Sequence, residues 1–201
     1  NRGSSPCWAA IKMKTDLLNL ISQSLREVFE EYSSKGILTV YIWGSILTPD
    51  FNFQTSDIDT IALVEDEFPL EYESKIQKML KEKHQDIHKI GFRIIYKSEL
   101  DTNNPKSNLG TVGVPALLLL DLPTWKYVCG ERFEQKDFKL KTPTYEQALK
   151  LRYDSTLQRW PDIDLIKTEE IQYFVKQILR IIHLEYLKRE NTLIRALAEA
   201  K

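Results

Sequence analysis

Only two cysteines, Cys7 and Cys129, and three scattered histidines occur in the 201 residues. One pair cannot build a disulfide framework, and no cysteine or histidine spacing suits a zinc site. No sign of charge predominates. The formal net charge is −1, so nothing global points to a nucleic-acid or membrane partner. The longest apolar run, Val114 to Leu122, is interrupted by Pro115 and Asp121 and is far too short to span a bilayer. No secretory signal, internal repeat or low-complexity tract is visible, so the expected setting is a reducing cytoplasm. What remains is ordinary for a globular protein: 42% hydrophobic and 28% charged residues, enough chain for one good core or two small ones.

The N-terminal stretch 1–12 looks unlike the rest of the chain and is expected to be an appended or flexible N-terminus. From Lys14 to Tyr32, Leu17, Leu18, Ile21, Leu25, Val28, Phe29 and Tyr32 recur at helical spacing. Ser33-Ser34-Lys35-Gly36 ends that helix, with Gly36 suited to a left-handed cap. An apolar strand comes next, from Ile37 to Trp43, and breaks at Gly44-Ser45. About a dozen residues later Ser56-Asp57-Ile58-Asp59 leads into a second strand, Thr60 to Val64.

Alternation in a strand puts Asp57 and Asp59 on one face and turns Ile58 toward the core. Two neighbouring carboxylates repel unless a cation lies between them. Their oxygens suit the hard cation Mg²⁺, which binds through one or two carboxylates plus substrate phosphates. Glycine at 44 lets the backbone approach a phosphate closely, and the Ser45 hydroxyl and nearby amides can donate to it. An Asp-x-Asp pair alone, or a Gly-Ser turn alone, is usually just a solvated strand end or a turn. The ordered combination carries the functional reading.

That order resembles the signature of the polymerase-β-like nucleotidyltransferase superfamily. Its small members are the nearest match: the aminoglycoside nucleotidyltransferases and the minimal nucleotidyltransferases of toxin–antitoxin pairs. The resemblance is close over residues 37–64 and looser elsewhere. It implies an α/β fold, a mixed sheet flanked by helices with a C-terminal helical bundle. Asp57 and Asp59 would be catalytic and hold Mg²⁺, and Gly44 and Ser45 would grip the β/γ-phosphates of a nucleoside triphosphate, ATP foremost.

The third strand, Ile87 to Tyr96, departs from the family. The superfamily places a third carboxylate there, facing the Asp-x-Asp pair. The equivalent positions are Gly91 or Arg93, and neither is acidic. Glu99 and Asp101 lie beyond the strand and are poor replacements. A guanidinium at Arg93 could neutralise the pair, hold a phosphate bidentately, or simply face solvent at a sheet edge.

A helix is expected before that strand, from Leu70 to Lys83, with Tyr72, Ile76, Met79 and Leu80 inward. The turn-rich stretch Asp101 to Gly113 marks a boundary and could be a mobile loop over the site. Residues 13–113 therefore read as the nucleotidyltransferase-like domain and 114–201 as a helical domain. Helices are expected at Thr144 to Trp160 and at Glu169 to about Ala200. Lys176 and Arg180, four apart, are candidates to reach the triphosphate. Glu146, Asp154 and Glu170 are candidate bases. Cys129 reads as a small buried hydrophobe rather than a nucleophile.

The expected activity is Mg²⁺-dependent transfer of a nucleoside monophosphate to a hydroxyl of an aminoglycoside-like small molecule or of a protein. The competing reading is a catalytically degenerate module on the same fold, binding nucleotide or, like an antitoxin, a protein partner. A vestigial domain without a ligand is the third. The near-neutral charge argues weakly against a polynucleotide acceptor, and a protein partner or a homodimer is compatible with the sequence.

Overall fold

The computed structural model describes residues 6–49, 51–87, 89–109, 114–157, 175, 178–182 and 184–185. Helix α1 spans Pro6–Tyr32, starting ahead of the expected Lys14. Its apolar stripe buries Ile21, Leu25 and Val28 completely, as the spacing requires. Gly36 closes the next turn at φ 113°, its amide donating to the Ser33 carbonyl.

Four strands build the sheet: β1 (Ile37–Trp43), β2 (Ile58–Val64), β3 (Ile90–Tyr96) and β4 (Lys126–Gly130). They form one mixed sheet in the order β3-β2-β1-β4. β1 is antiparallel to both β2 and β4, and β2 is parallel to β3. The parallel pair needs a crossover, and α2 (Glu71–Lys83) supplies it. The fold is therefore the mixed α/β sheet flanked by helices that the sequence predicts. β4 is not predicted by the sequence pattern. Its residues fall within 114–201, expected to be helical, yet they complete the sheet beside β1.

Alternation along the strands divides the core in two. Val40, Ile42, Ile58, Ala62, Val64, Phe92 and Ile94 pack with α1 and α2. Tyr41, Ile61, Leu63 and Ile95 face the other way. The short helix α3 (Lys97–Thr102) comes directly after β3. On the second face the strands meet Leu118 and Leu119 of a short helix α4 (Pro115–Asp121), together with Leu122, Trp125 and Phe133. Helix α5 (Tyr145–Leu157) joins a small cluster of Leu117, Ala148 and Leu184. No described helix is long and apolar enough to cross a membrane.

Two buried carboxylates serve the architecture. Glu73 on α2 accepts the Ile94 amide at 3.1 Å and the Arg93 guanidinium at 2.9 Å. Glu99 on α3 is fully buried. It accepts the amides of Tyr96, Lys106 and Ser107 at 2.7, 2.7 and 3.0 Å. A buried charge is tolerable when its lone pairs are taken up by donors in this way. The stretch expected to be a mobile loop is thus tied down at Lys106 and Ser107.

Candidate functional site

The site is built at the point where β1 ends and β2 begins. Asp59, the second residue of β2, lies across from Trp43 on β1 and Gly91 on β3. Because side chains alternate, Asp57 and Asp59 share the face of Ile61 and Leu63, while Ile58 is fully buried on the other. Both aspartates are half-buried.

Gly44 terminates β1 at φ 80° and ψ −156°, a conformation that L side chains rarely adopt. A Cβ at this position would lie 2.9 Å from Asp59 Oδ2, so the missing side chain is the space the carboxylate occupies. Ser45 comes next, in a single 3₁₀ turn, and its hydroxyl donates to the Asp57 carbonyl at 3.3 Å. The loop that carries the chain back to Asp57 is pinned by Asn52: its side chain accepts the Gln54 amide at 2.8 Å and its carbonyl the Ser56 amide at 2.8 Å. Lys14 of α1 donates to the Thr48 carbonyl at 2.6 Å and fastens the same loop to the helix. The Gly-Ser turn and the Asp-x-Asp pair, a dozen residues apart in sequence, therefore meet side by side.

The third position is open. Gly91 stands beside Asp59, and a Cβ on it would be 3.5 Å from Asp59 Oδ1, in ordinary contact. Glu99 is consumed by its three main-chain donors, and Asp101 accepts the Lys139 amide at 2.9 Å. Neither replaces an acid on β3. Among the described residues no group of three histidine, cysteine, aspartate or glutamate side chains converges to hold a metal. The donor set fits a hard cation that brings phosphate oxygens with it, since Asp57 and Asp59 share a face and Gly44 and Gly91 leave room around the second carboxylate. It does not fit a metal site made of protein ligands alone.

Arg93 pairs with Ile61, one step along the same face from Gly91, and its guanidinium goes to Glu73. A cation that does meet Asp57 is Lys89, whose Nζ lies 2.8 Å from Asp57 Oδ2. Sequence reasoning missed this residue, although positions 89, 91 and 93 alternate onto one face. The signal needed was the register, which sets Ile90 against Ile58 and so Lys89 against Asp57. Trp43, across from Asp59, stacks edge-on with Trp125 at 5.9 Å, and among the described residues its buried Nε1 has no hydrogen-bond partner.

The helical candidates are placed less closely. Arg180 is exposed; its charge and that of Arg152 act on Asp121, whose carboxyl desolvation nonetheless pushes above the usual range. Glu146 and Asp154 are exposed on α5. Lys176 and Glu170 lie outside the described residues. Burial pushes the Cys129 thiol up to about 11, so it stays neutral at physiological pH and packs as an apolar group against α1.

No protein-family model matches the chain, and no curated protein matches it at significant similarity. Among solved structures it is similar to the spectinomycin adenyltransferase AAD(9) from Enterococcus faecialis, crystallised with ATP and spectinomycin. The two share 15% identity over 89% of this chain and 78% of that one, at a TM-score of 0.57, a likeness of fold.

Proposed function

We propose that the chain is a nucleotidyltransferase that moves a nucleoside monophosphate from a nucleoside triphosphate, ATP foremost, to a hydroxyl of a small polyol or aminoglycoside-like acceptor. The observation that carries this reading is the juxtaposition of Gly44, Ser45, Asp57 and Asp59 at one corner of the sheet. The fold shared with an adenyltransferase that binds ATP supports it.

In this reading the acceptor oxygen attacks the α-phosphorus, the bond to the pyrophosphate oxygen breaks, and the hydroxyl proton passes to a base. Gly44 and Ser45 would hold the β/γ-phosphates, and Asp57 and Asp59 would hold Mg²⁺. The ion, when bound, offsets charge on the triphosphate and on the leaving pyrophosphate. The remaining work is positioning and electrostatics. Glu146, Asp154 and Glu170 are the proposed sources of the base, and Arg93, Lys176 and Arg180 of further phosphate contacts. Arg93 must leave Glu73 to serve.

Calorimetric titration of each nucleoside triphosphate, with Mg²⁺ and then with EDTA, tests the reading. Metal-dependent binding that vanishes in Asp57→Asn/Asp59→Asn supports it. Retained binding or turnover in that folded double variant would refute the site.

A specific observation favours a second reading, the non-catalytic module. Gly91 stands where a third acid would stand, and Lys89 already neutralises Asp57. Tight nucleotide binding with no pyrophosphate release across a panel of polyols, aminoglycosides and the protein itself would select it.

A further inference from the structure

We propose that Lys89 is a built-in counter-cation of the aspartate pair, which hands Asp57 over and turns to phosphate when a metal–nucleoside triphosphate arrives. The site then accepts its metal together with the triphosphate and poorly on its own. This inference rests on the nucleotidyltransferase reading and adds to it a residue and an order of loading.

The main chain of Lys89 is held in register and its side chain is largely exposed. The Ile58 amide donates to the Lys89 carbonyl at 2.9 Å, which locks the residue in register beside Asp57. The Lys89 side chain is 62% exposed and that of its partner Asp57 28% exposed. An ion pair so open to water changes an equilibrium by a factor of up to about five, so a competing cation can displace it. Lysine suits exchange. Its ammonium is a compact charge on a four-carbon stem, able to serve a carboxylate or a phosphate from one anchor point.

The neighbours on β3 leave this task to Lys89. Gly91 has no side chain, and Arg93 is held by the nearly buried Glu73. Just ahead of β3 an ammonium therefore meets Asp57, while Gly91 brings no carboxylate to Asp59. A bare divalent cation must compete with Lys89 for Asp57 and offers Lys89 nothing in return. A triphosphate brings anionic oxygens that compensate the displaced ammonium, and charge-assisted hydrogen bonds of this kind are the strong ones.

The test is Mn²⁺ binding, read from the paramagnetic signal of the free ion. It is run on the whole chain, with the ion alone and with the α,β-methylene analogue of ATP, which cannot transfer its nucleotide. Lys89→Met is expected to bind bare Mn²⁺ about two- to fivefold more tightly. The same variant should bind the Mn²⁺–analogue complex at least about tenfold more weakly. Lys89→Arg should stay near the parent in both arms, and melting curves should show all variants folded. Effects of opposite sign are not what a merely structural lysine would give.

Bare Mn²⁺ affinity that is unchanged or weaker in Lys89→Met overturns the inference, as does unchanged affinity for the complex. If Asp57→Asn/Asp59→Asn abolishes binding of the complex while Lys89→Met alters nothing, the nucleotide site stands and the role of Lys89 falls. If the parent binds no complex at all, the nucleotide reading falls, and the turn to phosphate is overturned with it.

Discussion

Gly91 and Asp59 stand opposite one another on parallel strands, and a side chain on the glycine would reach the carboxylate without clash. Gly91→Asp would therefore place a third carboxylate beside the pair. Three like charges should lower the melting temperature in EDTA. Mn²⁺ should restore it, with an affinity at least about tenfold higher than the parent's, since a close charge pair near a protein surface is worth about 4 kcal/mol. A variant whose melting ignores Mn²⁺ would show that the position does not address the metal.

Gly44→Ala should damage the site more than the fold. The substitution forces an L residue to a positive φ, costing about 1–3 kcal/mol, and drives Cβ toward Asp59 Oδ2. Nucleotide binding should fall at least about tenfold while circular dichroism stays native. Unaltered nucleotide affinity in a folded Gly44→Ala protein would remove the turn from the phosphate site.

Much of this was legible because local patterns and tertiary structure agree. The period of α1, the alternation of β1 and β2, and the break at Gly44 each point to the observed element. So does the resemblance of the stretch 37–64, which gives the fold. Long-range register was not legible. Lys126–Gly130 is short, with only Tyr127 and Val128 to mark a strand, and it becomes one because β1 offers an unpaired edge. Lys89 could be placed against Asp57 only once β3 was known to run parallel to β2 from Ile58. The fate of Arg93 was hidden for the same reason, since Glu73 lies on another element.

Glu99→Gln tests how the segment after α3 is held. Three main-chain donors converge on this carboxylate, and an amide replaces one acceptor with a donor that faces them. A destabilisation of about 2–3 kcal/mol is expected. Hydrogen exchange should accelerate first at Lys106 and Ser107. Equal protection there in both proteins would contradict this role.

Burial lowers the pKa of His84, the nearby Lys83 adds to the effect, and Glu27 opposes it. The ring is within 2.9 Å of the Ser24 hydroxyl, between α2 and α1. The unfolded chain thus takes up the proton first. Stability from this group is fully present above about pH 6.5 and is lost as pH falls through the lower folded value. His84→Gln should flatten that part of the stability profile in urea titrations between about pH 7 and pH 5. A variant profile parallel to the parent's would assign the acid sensitivity elsewhere.

The bond from Ile94 to Glu73 has a consequence for how the molecule meets others of its kind. β3 is the outer strand of the sheet, and outer strands with vacant amides invite a second chain to add on, in swapped dimers or in fibrils. Here a carboxylate already occupies that amide, and the Arg93 guanidinium covers the carboxylate. An incoming strand would have to expel a buried charge before it could pair at Ile94. Glu73 thus closes part of one open edge of the sheet on which the aspartates are displayed.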